Sequence, residues 1–243
     1  MVANSCRFQA MFLGLQKEIE MQLKINDKQI KVVNSAKPLA ITVDSKLKFD
    51  QHANAISKKV NSKIRAFSRV SRYLEEPKAK ILYNTFIMSS FNYSPLIWMF
   101  CGKTASREID RIHKRALRLV LSDFDSPFEM LLRKANECTI HQRNLQKLML
   151  EIFKCLHFEN PSFMWEFFEK KEITYNLRTQ NLLRLPPTRT ETYGSNSLSF
   201  RGSILWNYLL DDMKNAQSVQ LFKNAIRNWK GERCMCKNCK LKH

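Results

Sequence analysis

The sequence predicts an α+β fold that is mostly α: a small antiparallel sheet at the N-terminus, then a helical bundle, then a C-terminal helical segment. Three observations predict it. Apolar residues up to about residue 45 alternate or run in short β-rich stretches. From about Phe49 they recur at spacings of three and four. Between Tyr175 and Ser199 a stretch rich in Pro, Thr, Asn and Ser interrupts the helical pattern before it resumes.

The sheet is expected from Arg7 to Leu15, Met21 to Ile25 and Ile30 to Val33, with a turn at Asn26, Asp27 and Lys28, and from the apolar run Leu39 to Val43. Pro38 is tolerable there because the first residue of a strand need not donate to the ladder. The first helix carries Ile56, Val60, Ile64, Phe67, Val70 and Leu74 on one stripe about 120° wide. Pro77 suits the first turn of a second helix running to about Phe91. A third, about Ser106 to Leu121, places Ile109, Ile112, Ala116, Leu119 and Val120 on one side. Thr139 and Gln142 form a capping-box signature ahead of Leu145, Leu148, Met149, Ile152 and Leu156. Pro161 can open a short aromatic helix through Phe163, Trp165 and Phe168. Tyr175 to Ser199 reads as an extended arm, and two closing helices follow at about Phe200 to Leu210 and Ser218 to Trp229.

Charge sets the class of partner. Lys and Arg total 41 against 22 Asp and Glu, a net charge of +19, which points to a polyanion and above all to nucleic acid. The longest apolar run, Pro95 to Cys101, is far short of the roughly 20 residues a spanning helix requires, and the N-terminus lacks a signal-peptide pattern. Seven cysteines, an odd number, argue against a secreted disulfide framework. The expected chain is therefore not secreted, lies in the nucleus or cytoplasm, and has no membrane partner. None of the five glycines belongs to a phosphate-cradling loop, which excludes nucleotide binding by those routes.

The excess charge is concentrated. Between Ala55 and Val120 there are 14 basic and 4 acidic residues, a surplus of ten in about a quarter of the chain. On the first helix Lys58, Arg65, Arg69 and Arg72 fall nearly opposite the apolar stripe, with Lys59 and Lys63 beside them. On the third, Arg107, Arg111, Lys114 and Arg118 line up, with Arg115 alongside. A merely solvated face would mix Glu with Lys at i,i+4. These ridges are nearly one-signed, as phosphate contacts along a duplex require.

An ordered run of motifs carries a family likeness. It begins with Met1-Val2-Ala3-Asn4, Phe8-Gln9 and Phe12-Leu13-Gly14, then Lys37 to Asp44 (KPLAITVD) with Lys46-Leu47 and Phe49. Phe91 to Trp98 (FNYSPLIW), Arg111 to Arg118 (RIHKRALR), Thr139 to Leu145 (TIHQRNL), Tyr175-Asn176-Leu177-Arg178 and the Cys-rich tail follow. Over nearly the whole chain this run resembles the C-terminal portion of the reverse transcriptases of non-LTR (LINE-type) retrotransposons. The first group is similar to the strand just after that family's catalytic hairpin, and the second to the stretch that supports the primer end. The resemblance implies a palm remnant with a β-sheet over 1–48, a helical thumb-like domain over 49–158, a C-terminal helical region with an extended arm over 159–230, and a Cys-rich tail over 231–243. The family's YADD hairpin, and the earlier strand bearing its first metal-binding aspartate, would precede residue 1. Ala40 stands where the family has glycine, at a step where backbone approaches the primer.

The implied function is that of a truncated RNA-directed DNA polymerase. It would hold template and primer through the basic thumb helices, partner RNA or RNA–DNA duplex and the upstream palm and fingers, take no small-molecule substrate, and be inactive alone. Mg²⁺ is expected only for the complete polymerase. The alternative from another class is a non-enzymatic basic helical adaptor that binds nucleic acid or acidic protein partners. A third reading is a relic frame without a stable fold, whose cut sheet leaves an unpaired edge.

No residue of the chain is expected to be catalytic. Polymerase chemistry needs carboxylates that clamp two Mg²⁺ ions from a rigid turn. Asp211-Asp212 near Tyr208 follows a helical pattern and reads as a solvated helix end. Asp123 and Asp125 read as helix-terminal and turn carboxylates, and Asp44 as a cap for the next segment. His113 and His141 are expected to fill hydrogen-bonding or surface roles, and Phe91, Tyr93, Trp98 and Phe100 to pack in the core rather than stack on bases. In the tail, Cys234, Cys236, Cys239 and His243 offer four soft ligands that can satisfy tetrahedral Zn²⁺. The tight Cys-x-Cys step and the terminal position of His243 favour instead a frayed, oxidisable tail.

Overall fold

The computed structural model describes residues 8–14, 22–25, 28–157, 160–172, 181–232, 234, 236 and 239. It is mostly helical, with a small β part at the N-terminal end, as the periodicity dictates.

The β part differs in detail from the expected sheet. Among the described residues it consists of three ladders of two residues per strand. β1 (Gln9–Ala10) pairs parallel to β4 (Lys31–Val32), β2 (Lys24–Ile25) antiparallel to β3 (Lys28–Gln29), and β5 (Ser35–Ala36) antiparallel to β6 (Val43–Asp44). Of the apolar run Leu39 to Val43 only Val43 belongs to a strand. Pro38–Ala40 forms one 3₁₀ turn, closed by the Ile41 amide donating to the Pro38 carbonyl at 2.8 Å, and Leu39 and Ala40 are left-handed, with φ of 47° and 64°. Pairing is broken there, and of this run only Ile41 is buried. The ends of the expected strands at Arg7, Leu15 and Met21, and the turn residues Asn26 and Asp27, lie outside the described residues.

Asp44 then does what its position suggests. Its carboxylate accepts from the Lys46, Lys48 and Phe49 amides at 3.1, 3.2 and 2.8 Å, turning the chain into α1 (Asp50–Ser71). Ile56, Val60, Ile64 and Phe67 face inward as the spacing predicts, whereas Val70 is 46 % exposed. α2 (Glu76–Leu82) has Pro77 in its first turn and continues through a π-helical stretch, Tyr83–Met88, into α3 (Ser89–Asn92). α4 (Pro95–Trp98) leads to α5 (Lys103–Leu121) and α6 (Phe128–Ala135). α7 (Ile140–Leu156) opens with the expected capping box: Thr139 Oγ1 accepts from the Gln142 amide at 3.2 Å and Gln142 Oε1 from the Thr139 amide at 3.0 Å. A 3₁₀ turn at Ser162–Phe167 carries the aromatic segment.

Of the expected arm, 175–180 lie outside the described residues. The part at 182–184 pairs with 169–171 through Lys171 N to Leu182 O and Arg184 N to Glu169 O, and Asn207 clamps Leu183 by accepting from its amide and donating to its carbonyl. α8 (Leu198–Asn207), α9 (Asp211–Lys214) and α10 (Val219–Ile226) close the chain. Asp211 and Asp212 occupy the first turn of α9, where carboxylates complement the helix dipole, and Asp211 pairs with Lys214.

Burial divides into two clusters. The first runs from Ala53 to Ile140 and joins α1, the α2–π–α3 helix, α5 and α6. The second runs from Leu145 to Cys236, with Met99 added from α4's end, and is centred on Phe153, Phe222 and Trp206, whose rings stack at 4.4 and 5.9 Å between centroids. Phe91 and Trp98 are core residues, as expected, while Tyr93 is 47 % exposed and donates to the Leu39 carbonyl. His113 is fully buried, and its Nε2 lies 2.7 Å from the Tyr83 hydroxyl.

Candidate nucleic-acid interface and metal centre

The two basic ridges belong to neighbouring helices that run in the same sense. At their starts the Asp50 carboxylate accepts from the Gly102 amide at 2.7 Å; a Cβ on Gly102 would stand 2.7 Å from that oxygen, so the contact requires glycine. Further along both helices, Arg115 donates to Asn61 Oδ1 at 3.2 Å. Residues three or four apart share a helix face. Lys58 and Arg65 therefore flank Asn61, and Arg111 and Arg118 flank Arg115, so the two rows border one seam between α1 and α5.

Most of these cations point outward. Lys58, Lys59, Arg65, Arg69 and Arg72 on α1, and Arg107, Arg111 and Arg115 on α5, are exposed, and Lys114 and Arg118 are half-buried. Glu108 neutralises part of the row through a 3.5 Å pair with Arg111. Lys63 is different. Its ammonium donates to the Phe86 carbonyl at 2.6 Å and to Ser89 Oγ at 3.4 Å and lies 4.9 Å from the Phe86 ring centre, so it ties α1 to the π-helical stretch. Burial, and then Lys59, lower its pKa.

A second constellation lies at the start of α7. His141 Nε2 is 3.8 Å from Cys234 Sγ and 3.3 Å from Cys236 Sγ, and these atoms with Cys239 Sγ all lie within 4.8 Å of one another. Cys234 and Cys236 are buried. Tight turns bring the thiols together: Cys234 N donates to Gly231 O at 3.2 Å and Cys239 N to Cys236 O at 3.0 Å. Gly231 has φ of 75°, and a Cβ there would stand 2.3 Å from Leu145 Cδ1, so the tail can cross α7 at that point only with glycine.

The dimensions suit a tetrahedral ion. Metal–sulfur and metal–nitrogen bonds of about 2.3 and 2.0 Å put neighbouring ligand atoms roughly 3.5–3.8 Å apart in a tetrahedron. The two His–Cys separations, 3.8 and 3.3 Å, lie close to that range. Burial disfavours the charged imidazole, but the hydrogen bonds that it donates to the Cys234 and Cys236 sulfurs outweigh this and hold the His141 pKa up at about 9. The Cys236 thiol is pushed far down by hydrogen bonds from Cys234, Cys239 and His141, and the Cys239 thiol far up by the same cluster. Among the described residues this is the one group of three or more His, Cys, Asp or Glu side chains able to hold an ion.

The three cysteines of the tail lie close together, and the described residue that joins them is His141, 93 residues before Cys234. His243, the fourth ligand expected from proximity along the chain, lies outside the described residues. The available signal was a shortage: three thiols in six positions are one ligand short, and a histidine in the first turn of an amphipathic helix can supply it.

Asp123 sits in a structural role. Asp123 accepts from the Ser126 amide at 3.0 Å and pairs with Lys134, and these bonds hold its pKa far below the usual carboxylate range. No helix among the described residues is long and apolar enough to cross a membrane. No family model, curated protein or solved structure matches the chain.

Proposed function

We propose that this chain is the template-holding part of a non-LTR retrotransposon reverse transcriptase, and that it grips RNA or RNA–DNA duplex by its phosphates along the α1–α5 seam. The observation that carries the reading is the Arg115–Asn61 contact, because it ties two rows of outward cations to one surface. Contacts of that kind position a duplex without reading its sequence. Catalysis and its Mg²⁺ ions belong to the polymerase palm, and the chain alone is inactive. Its setting is intracellular, where the polymerase meets its RNA. The ordered run of motifs supports the polymerase origin, and the charge supports the partner.

Zn²⁺ is the ion for the four-ligand centre. Three thiolates and one imidazole complete a closed tetrahedral set with no open position, the composition of a structural rather than a catalytic site.

Binding of the full chain to an RNA–DNA template-primer across a salt series tests the reading. Each phosphate contact contributes a slope of about −0.9 in log K against log salt for a duplex. Replacing Arg65 and Arg111 with glutamine should flatten the slope by nearly two contacts' worth, whereas Lys63→Gln should leave it nearly unchanged. Equal slopes for wild type and the double variant refute the seam as the contact surface. Tight binding to acidic protein without duplex affinity replaces the reading with that of an adaptor.

A further inference from the structure

We propose that the His141, Cys234, Cys236 and Cys239 centre is a zinc clasp that fastens the end of the chain to the first turn of α7 and thereby closes the C-terminal core, leaving the α1–α5 seam independent of the metal. The inference rests on the Zn²⁺ reading above and assigns that ion a specific mechanical task.

Where the ligands stand in the chain carries the argument. His141 immediately follows the last residue of the first cluster, Ile140, and the cysteines follow the last helix of the second. A bond from 141 to 234–239 therefore encloses α7, α8, α9 and α10, and excludes α1 and α5. The clasp brackets every buried residue of the second core except Met99, and none of the first.

The enclosed end needs such a tie. α10 has eight residues, too few to persist without tertiary anchoring. Beyond it the chain runs irregularly across α7, where Gln146 Nε2 donates to the Arg227 and Trp229 carbonyls at 2.9 and 2.8 Å. Trp229 is 7 % exposed and Gly231 lies against Leu145. The metal would fix the same crossing one turn further on, with Gln146 and His141 both reaching it from the N-terminal part of α7. A ligand that binds only the folded arrangement stabilises it by mass action.

The test uses the full chain purified with zinc and then treated with a chelator. Metal analysis should give one zinc per chain, and cobalt substitution should give the intense visible absorption of a tetrahedral thiolate site. Hydrogen exchange followed by mass spectrometry should then show amides in 140–150 and 219–232 exchanging at least about tenfold faster without metal, as expected when local opening becomes easier. Amides of α1 and α5, and the salt slope for duplex binding, should not change. His141→Ala should abolish stoichiometric binding and reproduce the metal-free exchange pattern. Chelation of wild-type protein makes the same comparison if that variant fails to fold.

Several outcomes overturn the inference. Zinc that binds without altering exchange in 219–232 removes the clasp while leaving the Zn²⁺ reading intact. The absence of stoichiometric zinc, or a mass two hydrogens light from a disulfide among the three cysteines of freshly isolated protein, removes both. An unchanged cobalt spectrum in His141→Ala excludes the histidine and with it the long-range closure.

Discussion

Replacing Gly231 with alanine puts a methyl group 2.3 Å from Leu145 Cδ1, at a left-handed φ of 75° that residues with a Cβ rarely adopt. Two costs add. The left-handed conformation costs a residue with a Cβ about 1–2 kcal/mol. Leu145 is completely buried and cannot swing aside without displacing neighbours in the second cluster, an overpacking penalty of about 1–3 kcal/mol. The expected destabilisation is about 2–5 kcal/mol, enough to lower the melting temperature by roughly 4–20 °C in a chain of this size. Thermal unfolding followed by circular dichroism and tryptophan fluorescence measures it. A double-mutant cycle with Leu145→Ala isolates the overlap: truncating Leu145 alone costs about 2–5 kcal/mol, but in the Gly231→Ala background it also relieves the collision, so the pair should be less than additive by about 1–3 kcal/mol. A Gly231→Ala protein as stable as wild type, or a strictly additive cycle, would refute the reasoning.

Other outcomes follow from the same kind of accounting. Thr139→Ala should cost about 1 kcal/mol by removing the capping box of α7, and Gln142→Ala added to it should cost less than it does alone; urea denaturation measures both. Tyr83→Phe leaves the buried His113 Nε2 without its 2.7 Å partner and should cost about 1–3 kcal/mol by the same measurement. Burial, with a smaller push from Arg143, lowers the His113 pKa to about 3 from the ordinary 6.5. The folded state therefore refuses a proton that the unfolded state accepts, so this contribution is complete above about pH 6.5 and is lost progressively as pH falls toward 3. Its limit is on the order of 5 kcal/mol, and the difference in unfolding free energy between wild type and His113→Gln across that window should track it. A difference independent of pH would show that His113 titrates normally in the fold.

Much of the helical architecture was legible because the period of burial is set by a few large residues. Ile56, Val60, Ile64 and Phe67 on α1, and Ile109, Ile112, Ala116 and Val120 on α5, fix both faces, and the basic ridges follow by geometry. Lys63 departs from its ridge because a neighbouring helix offers it a carbonyl and a ring, which no local pattern records. The run Leu39 to Val43 misled for a related reason: apolar and β-branched composition fits a strand, but the backbone turns left-handed just after Pro38 and the stretch stays largely outside the core. Thr139 and Gln142 were readable since a cap is local. His141 was not, because its partners lie 93 and 95 residues away and only the fold brings them near.

The same-sense arrangement of α1 and α5 gives the seam a polarity. Backbone dipoles leave partial positive charge at both helix starts, beside Asp50 and Gly102, and partial negative charge at both ends, near Ser71 and Leu121. Arg69 and Arg118 sit in those last turns and Arg72 just past one of them, so they steady the helices as well as charging the surface. Lys58 and Arg107 lie in the opening halves, where a cation gains nothing from the peptide dipoles. The cations of the seam are thus committed to their own helices at one end and uncommitted at the other.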